Sequence, residues 1–110
     1  LGLCDCALGT SHAKSLGLWV VKGVEDLDLR DNSGLGGEGI EVFLGVCTSE
    51  LPLRRLNLSG CAIGDEGLEA VAEACSRKLQ NLEELLFERC EVSAEGCELL
   101  ARGVRSRWLL

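Results

Sequence analysis

The feature that most restricts the fold of this chain is an internal repeat that recurs at regular intervals along the sequence. Leu27, Leu56 and Leu85 begin equivalent segments, and an apolar residue stands three positions before each of them. A second apolar residue follows two positions later, and Asn or Cys comes three positions after that. The pattern is L-x-x-L-x-L-x-x-[NC], completed by Leu29, Leu58 and Phe87 and then by Asn32, Cys61 and Cys90. A period of this kind indicates stacked copies of one structural unit.

Each copy is predicted to contain one short strand followed by one helix. The two apolar residues of the segment alternate with other residues, so both point to one face of a strand. The second half of each copy has apolar residues at i, i+3, i+4 and i+7, the spacing of a helix with one buried face. These buried stripes are predicted at Ile40, Phe43, Leu44 and Cys47, at Leu68, Val71, Ala72 and Cys75, and at Cys97, Leu100, Ala101 and Val104.

One strand and one helix cannot bury their own apolar faces, so the copies must stack. The predicted fold class is therefore α/β, a horseshoe-shaped solenoid of about four strand–helix repeats. Its parallel sheet would line the concave side and its helices the outside. A fourth, divergent copy opens the chain with Leu1, Leu3, Cys6 and Leu8.

The 110 residues are interpreted as a single segment with repeats at roughly 1–23, 24–52, 53–81 and 82–110. Trp108 aligns with Leu79, so the next strand would begin beyond Leu110. The segment is therefore interpreted as a fragment without a C-terminal cap, or as a short array that a partner completes.

The composition argues against some classes of function. The formal net charge of −7 argues against binding to nucleic acid, which requires a basic surface. The longest wholly apolar run, residues 18–21, is too short to cross a membrane. Seven cysteines without a Cys-x-x-Cys pair favour reduced thiols in the cytoplasm.

The repeats LRRLNLSGCAIGDEGLEAVAEAC and LEELLFERCEVSAEGCELLARGV resemble the ribonuclease-inhibitor type of leucine-rich repeat. That family includes ribonuclease inhibitor, the sensor domains of NOD-like receptors and the GTPase activator RanGAP. The resemblance implies a leucine-rich-repeat solenoid that binds proteins. This chain departs from the pattern in its first copy, which is shorter than the others and has His12 where they carry Gly39, Gly67 and Gly96.

A second motif, SGLGGEG, offers a competing interpretation. Gly34, Gly36 and Gly39 spell G-x-G-x-x-G between a predicted strand and a predicted helix, which is the dinucleotide-binding pattern. Gly36 and Gly39 recur in the other repeats, however, and only Gly34 is an insertion. The next strand ends at Ser59 rather than at the acid that would hold a ribose. The glycines are therefore interpreted as a strand-to-helix turn, and no cofactor is predicted.

The cysteines are predicted to be small apolar residues of the core. Cys6, Cys61 and Cys90 occupy the turn position, and Cys47, Cys75 and Cys97 lie on the helical stripes. Two chemical alternatives stay open. Cys4 and Cys6 could hold a metal, although no His or second Cys pair lies nearby in sequence. Cys61 and Cys90 should lie on adjacent strands at about 5 Å between Cα atoms, close enough for a disulfide under oxidation. No metal site is predicted.

The concave sheet face is the predicted site of partner binding. Alternation turns three residues of each strand outward, and the equivalent positions form columns across the sheet. The candidate residues are Asp26, Asp28 and Arg30, then Arg55, Asn57 and Ser59, then Glu84, Leu86 and Glu88. The columns Asp26–Arg55–Glu84, Asp28–Asn57–Leu86 and Arg30–Ser59–Glu88 form a mildly acidic surface, in which Leu86 is the apolar member.

No catalytic constellation surrounds His12, the one histidine, so the chain is predicted not to be an enzyme. The predicted function is a protein-interaction or scaffold module that docks another protein on the concave face. The alternatives are a sensor fragment of a NOD-like receptor and a regulator of an enzyme, either a ribonuclease inhibitor or a GTPase activator. Self-association through the uncapped ends is also predicted, because exposed edge strands favour pairing.

Overall fold

The structure is a computed structural model that describes residues 2–20, 22–47, 51–75 and 77–104. Strands and helices alternate along the chain after a first helix. The helices are α1 (Thr10–Val20), α2 (Gly36–Gly45), α3 (Gly64–Cys75) and α4 (Ala94–Val104), and the strands are β1 (Asp26–Asp28), β2 (Arg55–Asn57) and β3 (Glu84–Leu86). The predicted α/β arrangement of strand–helix units is confirmed.

The strands form one parallel sheet in the order β1-β2-β3. Leu27 pairs with Leu56 and Leu56 with Leu85, so the sheet register follows the repeat spacing of the sequence. The divergent first copy joins the same sheet, since Gly2 forms a parallel bridge with Asp28 and the Leu3 amide donates to the Asp28 carbonyl at 2.8 Å.

The hydrophobic core lies between the sheet and the helices. Leu27, Leu29, Leu56 and Leu58 are buried on the sheet side, as alternation requires. The helical stripes meet them, and the predicted stripe residues of α2 and α3 are all buried. Helices pack in chain order, α1 on α2, α2 on α3 and α3 on α4. Each helix therefore shares its apolar surface with its neighbours in sequence.

The Asn or Cys after each strand links neighbouring repeats through a hydrogen bond. The Asn32 amide donates to the Leu3 carbonyl at 2.9 Å, and the Cys61 thiol donates to the Leu29 carbonyl at the same distance. The Cys90 thiol donates to the Leu58 carbonyl, again at 2.9 Å. These side chains therefore satisfy backbone carbonyls where two repeats meet.

The glycines of SGLGGEG have structural roles in the turn before α2. Gly36 has a φ of 58°, in the left-handed region that favours glycine, and Gly64 repeats this conformation at 63°. A side chain at Gly34 would meet the Leu8 carbonyl at 3.0 Å, so the inserted glycine lets this turn lie directly against the first repeat.

The insertion is compensated within the same repeat. Helix α2 begins at Gly36 and helix α3 at Gly64, so α2 begins one residue later in its repeat than α3 does. The turn before α2 is one residue longer than the turn before α3, and the connection after α2 is also one residue longer than the one after α3. Helix α2 is two residues shorter than α3, with 10 residues against 12, which offsets both differences. Strand β2 therefore begins at the position that the repeat requires, and the sheet register is preserved.

Two predictions about cysteine burial are wrong. Cys97 is exposed, because in the described chain α4 packs against α3 and no further helix covers its other side. Cys6 is exposed as well, since the first repeat has only one neighbouring repeat in the described part. The side chains of Ala101 and Val104, and all of Trp108, lie outside what the structure describes.

Cys61 and Cys90 are free, buried thiols. Burial raises the pKa of Cys61 to about 11, which disfavours the thiolate that reacts with oxidants. The disulfide between them stays a prediction, and their hydrogen bonds give both thiols a structural role.

Candidate functional site: the open face of the sheet

The sheet has one face covered by helices and one face without helical cover in the described chain. The open sheet face consists of the outward side chains of the three strands and of the residues directly after them. Alternation positions them: Leu27 and Leu29 point into the core, so Asp26, Asp28 and Arg30 point outward. Its members are Asp26, Asp28, Arg30, Arg55, Asn57, Glu84, Leu86 and Glu88.

Two of the three predicted columns occur as expected. Asp26 pairs with Arg55 and Arg55 with Glu84, while Asp28 pairs with Asn57 and Asn57 with Leu86. The Arg55 guanidinium lies 3.9 Å from the Asp26 carboxylate. Both side chains are largely exposed, so this ion pair is worth at most about 1 kcal/mol.

A neighbouring charge column was not predicted from the sequence. Arg54 lies 2.7 Å from the Glu83 carboxylate and 3.8 Å from the Glu25 carboxylate, and so joins the two flanking repeats. The hydrogen bond from Arg54 holds the pKa of Glu83 below its usual value. Glu25, Arg54 and Glu83 recur at the repeat spacing, and this is the signal that could have found the column.

Arg30 does not extend across the sheet as the third predicted column requires. Its guanidinium lies 2.9 Å from the carboxylate of Asp28 on the same segment, and its Nε donates to both carboxylate oxygens at 3.0 Å. This hydrogen bonding keeps the pKa of Asp28 below its usual value. The two charges therefore neutralise each other on the open face.

Ser59 is a correction to the predicted site. Its exposed fraction is 6%, because the chain turns inward after β2, and its hydroxyl oxygen accepts the Glu88 amide at 3.0 Å. Ser59 thus holds two adjacent repeats together and is not part of the surface that a partner would contact.

Leu86 is the apolar member of the open face and lies on β3, an edge strand of the described sheet. Its exposed fraction is 39%, and Glu84 and Glu88 flank it on the same face. Neither glutamate forms an ion pair with another described residue. Leu86 and Glu84 also line a depression of about 120 Å³ with Asp28, Asn57 and Arg55.

The chemistry of this face suits contact with a large molecule. The depression beside Leu86 is smaller than the roughly 300 Å³ of the smallest usual ligand pockets. A larger depression of about 310 Å³ lies on the helix side between α2 and α3. The described residues contain no group of three potential metal ligands, and none of their helices has the length and apolar character to span a bilayer.

The sequence of this chain is similar to a known protein family and to two known proteins. The family described as Leucine Rich repeat matches residues 24–44 and 51–72. Ribonuclease inhibitor from Mus musculus is 34% identical over 82 residues, which cover 74% of this chain and 18% of that protein. Ribonuclease inhibitor from Sus scrofa is 30% identical over 135 residues, covering 94% of this chain and 29% of that protein. The chain therefore spans less than a third of the length of either relative.

Proposed function

Because the chain belongs to the leucine-rich-repeat proteins of ribonuclease-inhibitor type, we propose that it is a non-enzymatic module that docks another protein on its open sheet face. In this proposal the sheet lines the concave side of a curved solenoid, and the module works in the cytoplasm.

The observation that carries the proposal is Leu86 between Glu84 and Glu88. An exposed leucine beside polar side chains loses unfavourable hydration when a partner covers it. The two glutamates beside it form no ion pair with described residues, so they are available to a cation of the partner. This combination favours a partner that presents an apolar side chain next to Lys or Arg.

The charge of the surrounding surface supports the same partner chemistry. Acidic residues outnumber basic ones among the open-face members, and Arg30 and Arg55 are already engaged by Asp28 and Asp26. A basic partner would be attracted over several ångströms, and the attraction would weaken as salt is added.

The proposal can be tested with three baits in a quantitative pull-down. The baits are the wild-type chain, a variant with Asp28→Lys, Leu86→Asp and Glu88→Lys, and the matched control Leu18→Asp. Leu18 is an exposed leucine of α1, on the helix side of the molecule. We expect proteins that the wild type and the control retain and the sheet-face variant loses. Equal recovery by all three baits would exclude the open face as the docking surface.

Ribonuclease binding is a second candidate, favoured by the two ribonuclease-inhibitor relatives. The open face lacks aromatic residues, which often dominate the binding energy of protein interfaces. A pancreatic-type ribonuclease assayed with increasing amounts of this chain tests the candidate. Inhibition that Leu86→Asp abolishes would support it, and full ribonuclease activity at saturating chain concentration would reject it.

A further inference from the structure

A groove runs between α2 and α3 on the helix side of the molecule, away from the open sheet face. Its volume is about 310 Å³, which reaches the roughly 300 Å³ of the smallest usual ligand pockets. Helix α2 also packs against α1, and helix α3 also packs against α4. The groove is therefore formed inside the described stack, by two helices that each have a neighbour on both sides.

Two glycines bring α2 and α3 together near their N-terminal ends. A side chain at Gly37 would lie 2.7 Å from the Ile63 carbonyl, and a side chain at Gly67 would lie 3.2 Å from the Gly37 Cα. At the other end of α2, a side chain at Gly45 would meet nothing within 4 Å. The two helices are thus in backbone contact near their first turns, and the space between them is open where Gly45 lines the groove.

The floor of the groove is apolar. Leu44, Ala70 and Ala74 line it, and the exposed fractions of Leu44 and Ala74 are only 4% and 5%. Ala70 is half-buried, and the missing side chain of Gly45 leaves the space above this floor empty. An aliphatic group placed on the floor would exchange water for apolar contacts, which is favourable. The groove therefore suits the aliphatic part of a long side chain.

The rim beside this floor is acidic. Glu41 of α2 and Glu69 of α3 line the groove, are exposed, and form no ion pair with another described residue. Repulsion from Glu66, together with that from Glu38 and Glu69, raises the pKa of Glu41. Because the glycine contact holds α2 and α3 close together, these like charges stay near one another. A cation placed beside Glu41 would relieve the repulsion.

The basic residues of the groove have other partners. The Arg77 guanidinium lies 2.6 Å from the carboxylate of Glu73, four residues earlier in the chain. The Lys78 ammonium donates to the Leu44 carbonyl at 2.7 Å and so satisfies a backbone group near the end of α2. Neither cation is paired with Glu41 or Glu69, so the acidic rim offers its charge to a cation from outside the described residues.

The floor and the rim together indicate the chemistry of an occupant. Lysine and arginine combine an aliphatic stem with a charged end, and they bury the stem along apolar surface while the charge stays near water. The stem matches the floor, and the charged end matches Glu41 and Glu69. We propose that the groove between α2 and α3 binds a lysine- or arginine-bearing segment of a partner protein.

This site is separate from the open sheet face, because it lies on the helix side whereas Leu86 lies on the sheet. The chain can therefore hold two proteins at once, one on each side. Binding in the groove does not require docking on the open face, and either can fail without the other.

The test is a titration of the isotope-labelled full chain with a short synthetic peptide of alternating lysine and alanine, at physiological salt. We expect the largest shifts of amide signals in NMR spectra at Gly45, Ala70 and Ala74. Glu41→Gln/Glu69→Gln should raise the Kd of the peptide about five- to twentyfold, since it removes two exposed charge contacts. Gly45→Gln fills the groove without a change of charge and should raise the Kd about fivefold or more.

Glu91→Gln/Glu95→Gln is the matched control, because it removes two exposed acids that do not line the groove. It should change the Kd by less than about twofold, since salt screens distant charges. Circular dichroism checks that each variant is folded. Shifts confined to the open sheet face, or equal Kd values for the groove variant and the control variant, would overturn the proposal. Spermine binding as tightly as the peptide would show that the groove takes a free polyamine and would overturn the assignment to a protein segment.

Discussion

At the scale of the residue, the turn position after each strand shows how one side chain can replace missing backbone pairing. Asn32 is buried and donates to the carbonyls of Leu3, Leu29 and Arg30, while its oxygen accepts the amides of Cys6 and Leu8. The thiols at the equivalent positions donate to one carbonyl of the preceding repeat. Asn therefore satisfies more backbone groups than Cys, which has only a weak donor and acceptor.

This difference predicts a graded loss of stability at position 32. Asn32→Ala leaves several buried backbone groups without a partner and should reduce the free energy of unfolding by about 2 to 4 kcal/mol. Asn32→Cys should cost about half as much, because its thiol can donate to the Leu3 carbonyl as Cys61 does to that of Leu29. Urea unfolding of both variants measures the loss in the free energy of unfolding. Equal losses would show that the Cys thiol does not replace any hydrogen bond of Asn32.

The buried thiol of Cys61 predicts a pH dependence. Its pKa is raised from 9.0 to about 11, chiefly by burial, so the folded chain holds this proton more tightly than the unfolded chain. The resulting stabilisation is complete below about pH 9 and is lost as the pH rises through about 11.

The free energy of unfolding, measured with urea at a series of pH values, should therefore decline between about pH 9 and pH 11. Cys61→Ala removes the titrating group and should make the decline shallower, by an amount on the order of 2 kcal/mol across the window. Parallel curves for the wild type and Cys61→Ala would show that the Cys61 pKa is not raised in the folded state. Comparing the two proteins cancels the titration of the remaining cysteines and lysines.

At the scale of the element, glycines set the distance between successive helices. Gly17 brings α1 close to α2, where a side chain would meet Val46 and would lie 2.7 Å from the Phe43 carbonyl. Gly67 does the same between α3 and α2, where a side chain would lie 3.2 Å from the Gly37 Cα. Such close contacts involve backbone atoms, which cannot move aside without shifting a whole helix.

Gly17→Ala should therefore lower the free energy of unfolding by about 1 to 3 kcal/mol, as overpacking usually does. Gly45→Ala is the matched control on α2, since a side chain there meets nothing within 4 Å. That variant should be neutral or more stable by up to about 1 kcal/mol, because alanine favours the helix. Thermal unfolding of both variants and of the wild type tests this prediction. If Gly17→Ala is as stable as the wild type, α1 and α2 are less closely packed than the structure shows.

At the scale of the whole molecule, the repeat allowed much of the fold to be predicted. Because the repeats have a regular spacing, Leu27, Leu56 and Leu85 are predicted to pair in register. The sheet pairs them as expected. The same alternation identified the outward residues of each strand. These predictions succeeded because side-chain alternation and repeat spacing follow directly from strand geometry.

The parts that failed depend on neighbours that the pattern does not specify. Cys97 matches the buried stripe but lies on the outer side of the last described helix, so it is exposed. Ser59 follows the outward alternation, yet the chain turns inward there and buries it. Arg30 was assigned to a column across the sheet, but the nearby Asp28 binds it. Burial at the end of a stack and the choice among charged partners are decided by tertiary contacts.

The proposed docking of a protein on the open sheet face depends on Leu86. The most direct measurement compares the Kd of wild type, Leu86→Ala and Leu18→Ala for the protein that the wild-type bait retains. Both leucines are exposed, with fractions of 39% for Leu86 and 51% for Leu18, but they lie on different sides of the molecule. We expect Leu86→Ala to raise the Kd about tenfold or more and Leu18→Ala to leave the Kd unchanged. An unchanged Kd for Leu86→Ala would show that the partner does not bind through Leu86.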